Sequence, residues 1–61
     1  MEKKPPSARI VMWPPDDEWC VMTPEGDLYQ VGGVLLFRSR KALVEALHRL
    51  GALVIGDDVW L

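Results

Sequence analysis

Sixty-one residues with seven basic and nine acidic side chains, a formal charge of −2, leave room for one domain and give no general pull towards nucleic acid or anionic membrane. The longest apolar runs fall far short of the roughly 20 residues that span a bilayer, and no apolar signal core follows the charged start, so a cytoplasmic protein is expected. Cys20 is the only cysteine and His48 the only histidine, which excludes an internal disulfide and a four-ligand zinc site.

A chain this short hides only about 60% of the surface that its unfolded form exposes. Its 49% hydrophobic content is therefore needed in a core or an interface, and self-association as a homodimer is the expected support. There is no Asn, and Gln30 is the single Gln, a depletion of labile amides that points to a thermophile.

Residues 1–7 read as a disordered lead, because Pro5-Pro6 removes backbone donors and favours polyproline II; residues 8–61 form the domain. Residues 9–13 suit a first strand, broken by Pro14-Pro15-Asp16-Asp17. Residues 18–23 form the second, with Trp19, Val21 and Thr23 on one face and Cys20 and Met22 on the other. Pro24-Glu25-Gly26-Asp27 is a turn, since Pro pre-sets φ and Gly accepts the left-handed region. Residues 28–31 return as a third strand.

Gly32-Gly33 makes either a two-residue hairpin turn or a bulge in one bent strand, and the hairpin fits the normal lengths of its flanks. Residues 34–37 then become a fourth strand. Ser39 caps a helix over residues 39–50, whose Leu43, Ala46, Leu47 and Leu50 share one face and whose end is set by Gly51. Residues 52–55 are a final strand, giving a parallel β-α-β unit with residues 34–37. Gly56-Asp57-Asp58 is a turn, followed by an apolar tail at residues 59–61. The fold class is α+β, a small and mainly antiparallel sheet of four to five strands in the order β-β-β-β-α-β, with one helix on one face. The other face is left as either a polar surface or a binding surface.

No residue constellation supports catalysis, so no enzyme, cofactor or metal is expected. His48 lies on the outer helix face, and Cys20 sits among apolar strand neighbours without a base beside it. The acidic groups Asp16-Asp17-Glu18 and Asp57-Asp58 lack ion-loop spacing. The expected function is a non-enzymatic protein-interaction module, with Val34, Leu35, Leu36, Phe37 and Trp60 as the interface. The alternative is a nucleic-acid-binding regulator using Arg38, Arg40, Lys41 and Arg49, since two of these basic residues stand in the first helical turn, where the dipole disfavours cations and an anion should compensate them.

Overall fold

The computed structural model describes residues 4–61. The expected lead falls partly outside these residues. Five strands, β1 (Ala8–Trp13), β2 (Glu18–Met22), β3 (Leu28–Tyr29), β4 (Leu53–Ile55) and β5 (Asp58–Trp60), form one sheet in the order β3-β2-β1-β5-β4, and every pairing is antiparallel. The helix α1 (Arg40–Arg49) packs on one face, so the fold is α+β as read from the sequence.

Local chemistry builds the turns. Pro24-Glu25-Gly26 is a three-residue loop in which the Gly26 N–H donates to Thr23 O at 2.9 Å and Gly26 takes φ +92°, a type I turn closed by a left-handed residue. Gly32 and Gly33 both have positive φ, and Val31 and Val34 exchange backbone bonds of 2.9 and 3.1 Å across them, so the pair is a primed two-residue hairpin turn. That hairpin is a single bridge long.

The fourth strand expected at residues 34–37 does not form. Val34 pairs back to Val31, whereas Phe37 exchanges bonds of 2.7 and 2.8 Å with Trp19, so residues 30–36 are an excursion from the edge of β2. The excursion holds apolar residues of high strand propensity, yet they gain no ladder because β2 offers only its far end.

The strand missing here reappears after the helix. Gly56-Asp57 closes a second two-residue turn between β4 and β5, with positive φ at Gly56 alone, the type II′ pattern. Residues 59–61, expected as a tail, supply most of β5, which lies inside the sheet between β1 and β4. The parallel β-α-β unit is overturned for the same reason: Phe37 stands beside β2, β4 stands at the opposite edge, and the helix carries the chain between the two.

Ser39 caps the helix through its Oγ, which accepts from Ala42 N–H at 3.1 Å, and Gly51 at φ +81° ends it. Leu43 and Leu47 are fully buried against Ala8, Ile10, Val21, Val31 and Val59, with Trp19, Phe37 and Val54 packed around them. Leu50, expected on the same face, is exposed because it lies past the last helical turn.

Leu43→Ala is expected to cost about 2–5 kcal/mol, a large part of the roughly 5–15 kcal/mol that holds a domain folded. Leu50→Ala is expected to cost little. Urea denaturation followed by circular dichroism compares the two.

Candidate interaction surface

Strand alternation assigns each side chain to a face. Ala8, Ile10, Val21, Val54 and Val59 point at the helix, and their strand neighbours Arg9, Val11, Met22, Leu53, Ile55, Asp58 and Trp60 point the other way. No element of the described residues covers this second face. It is predominantly apolar, crossed by one Arg9–Asp58 ion pair at 3.6 Å between exposed groups.

Two grooves mark it. The larger, about 670 Å³, is lined by Lys4, Pro5, Pro6, Leu53, Ile55, Asp58 and Trp60. The smaller, about 320 Å³, lies over β1 and β2, with Arg9, Val11, Met22 and Pro24 in its walls, and Pro6 borders both. Residues 4–7 are tied down beside Trp60: its Nε1–H donates to Lys4 O at 2.9 Å, Ser7 N–H donates to Val59 O at 2.8 Å, and Leu61 N–H donates to Ser7 Oγ at 3.2 Å.

The edge strand β4 adds a second feature. Val59 O accepts from Ser7 and Asp57 O from Ile10, so Val59 of β5, like Asp57 just before the strand, turns its backbone towards β1. Val54, opposite Val59, therefore sits in a non-hydrogen-bonded pair, and its own N–H and C=O face the open side of the sheet. Beside them Leu53 and Ile55 are 55% and 59% exposed. β4 carries no Lys, Pro or bulge, the devices that commonly blunt an edge.

The residues singled out from sequence do not converge. Val34 and Leu35 are exposed on the excursion beside β2, and Leu36 is half-buried. Phe37 packs against the core. Trp60 is half-buried on the outer face, with β1 and β2 between its strand and the Phe37 bridge. Leu53 and Ile55, the exposed apolar residues of β4, are not among them. The signal for them was Gly56-Asp57, a glycine-first hairpin turn, which makes residues 53–55 and 58–60 paired strands with Leu53 and Ile55 on one face.

The basic group is also divided. Arg40 Nε lies 3.3 Å from Asp57 Oδ1, and its guanidinium also donates to Gly56 O, so the anion that compensates Arg40 is in the chain's own β4–β5 turn. Arg38, Lys41 and Arg49 are exposed. His48 is exposed on the helix. Among the described residues no three His, Cys, Asp or Glu side chains gather as a metal site. No helix of the described residues is long and apolar enough to cross a membrane.

Cys20 faces away from the helix yet is fully buried, and burial pushes its thiol pKa up. A thiol so placed is a poor nucleophile. Comparison with protein-family models, curated proteins and solved structures returned no match.

Alkylation of native Cys20 by iodoacetamide at neutral pH is expected to run at least about tenfold slower than in the urea-unfolded chain, because a buried thiol with a raised pKa supplies little accessible thiolate. Mass spectrometry over a time course checks this.

Proposed function

We propose that this protein is a non-enzymatic interaction module that self-associates as a homodimer through the open edge of β4. The observation that carries this reading is the unguarded edge itself. Val54 presents both backbone groups outward, between exposed Leu53 and Ile55. A two-fold axis through Val54 sets that residue opposite its own copy, where the two chains exchange both N–H···O bonds. In the same register Leu53 lies opposite the partner's Ile55, extending the apolar face across the axis. A small domain gains stability from such a pairing, which also closes an open strand edge.

The nucleic-acid alternative is the weaker reading, since Arg40 is already engaged by Asp57 and the net charge is negative. Cytoplasmic residence and a thermophilic source complete the proposal and rest on composition: a lone cysteine and the lack of Asn.

Light scattering across a dilution series tests the dimer. The wild-type chain is expected to hold twice the 6.9 kDa chain mass at high concentration. Ile55→Lys, at an exposed position, sets like charges close to the two-fold axis and is expected to weaken the dimer by at least about tenfold with unchanged helix content. A wild-type chain that stays monomeric at every concentration refutes the proposal.

A further inference from the structure

We infer that the groove over β4 and β5 is a seat for an extended, proline-rich peptide, part of which the chain's own residues 4–6 fill in cis. This goes beyond self-association and needs only one protomer.

Polyproline II has no internal hydrogen bonds, so its carbonyls seek external donors while its rings form apolar ridges. A surface that reads it combines an aromatic floor with a donor directed at a backbone carbonyl. Trp60 supplies both: its ring lines the groove together with Pro5 and Pro6, and its Nε1–H bonds the Lys4 carbonyl at 2.9 Å. Pro5 and Pro6 have φ fixed near −65°, and a residue that precedes proline is biased towards extended backbone, so the sequence biases both Lys4 and Pro5 towards the extended form.

The cis segment does not fill the groove. Three residues of polyproline II span about 9 Å, whereas a peptide of eight or nine residues spans about 25–28 Å and reaches across both β5 and β4. The open part, about 670 Å³, has Leu53 and Ile55 as apolar walls and falls within the roughly 300–1,000 Å³ of ordinary ligand sites. Asp58, on the same surface, shares its carboxylate with Arg9 at 3.6 Å and remains exposed, which favours a peptide with a basic residue beside its prolines. Among the described residues Lys4 is the one cation in the lining, so no cluster of described cations stands there for a phosphate.

The cis segment competes at an effective concentration of about millimolar order, and a peptide in trans prevails by also covering Leu53 and Ile55. Weakening the segment should therefore strengthen peptide binding.

The test is a titration of the full-length ¹⁵N-labelled chain with a nine-residue peptide of prolines ending in one arginine, following the indole N–H signals, with Trp13 and Trp19 as internal references. Expected is a saturable shift of the Trp60 signal, no shift with a peptide in which glycine replaces proline, and a midpoint about threefold to tenfold lower in the full-length variant Pro5→Ala/Pro6→Ala. Trp60→Phe, which keeps a ring and removes the donor, is expected to weaken binding severalfold as read from the backbone amides of β4, with circular dichroism unchanged. The proposal is overturned if Trp60 ignores the peptide at millimolar concentration, if the glycine peptide acts equally, or if the arm variant binds no better. It is also overturned if the Trp60 signal follows protein concentration alone, which assigns the seat to a second copy. The titration does not read mass, so its failure leaves self-association standing, and a monomeric chain leaves the peptide seat standing.

Discussion

A helix of ten residues is about 15 Å long and about 10 Å across, and a sheet of five strands spaced about 4.8 Å apart is about 19 Å wide. One such helix shields one face of the sheet and no more. Leu43 and Leu47 concentrate the core on that face, where Ile10, Val21, Val31 and Val59 meet them. Among the described residues, the other face has residues 4–7 lying beside Trp60, and its remaining apolar side chains border open grooves. Cys20 is the exception, a small side chain in the middle of the sheet that its neighbours bury completely.

The placement of β5 decides what that open face presents. Because β5 lies between β1 and β4, the backbone of Val59 is spent on β1, and β4 becomes an edge whose central residue turns its N–H and C=O outward. The alternation that buries Val54 and Val59 also turns Leu53, Ile55 and Trp60 to the uncovered side. Arg40 ties the start of the helix to the Gly56-Asp57 turn, joining the far end of the β4–β5 hairpin to the helical layer. Arg40, one of the two cations of the first helical turn, thus has a structural use within the chain, which weakens the sequence argument for an anionic partner.

The parts of this fold legible in the sequence are those specified locally. Ser39 and Gly51 delimit the helix by capping, residues 24–26 close a hairpin by turn chemistry, and Gly32-Gly33 makes its tight turn because both positions need positive φ. What local chemistry does not state is which strand pairs with which. Residues 34–37 are wholly apolar whereas residues 58–60 begin with Asp58, yet the latter form a ladder, because β-propensity counts only where a partner strand stands alongside. The surroundings of the candidate interface residues depend on the same pairing. Trp60 could be picked out by its size, but the exposure of Leu53 and Ile55 follows from the pairing of β4 with β5, and Phe37 drops into the core through its bridge to Trp19.

The edge and the groove use different atoms of the same strand. Pairing through Val54 consumes backbone groups in the plane of the sheet, whereas the groove is walled by the side chains of Leu53 and Ile55, which stand out of that plane. In the antiparallel register about Val54, Leu53 of one protomer lies beside Ile55 of the other at cross-strand spacing, about 5 Å. The two grooves then meet at the axis, and the apolar floor becomes continuous from one Trp60 to the other. Self-association by this route lengthens the groove and leaves it open, whereas a face-to-face dimer buries it. In the proposed dimer, mode of assembly and the proposed capacity for an extended peptide are therefore linked through one three-residue strand.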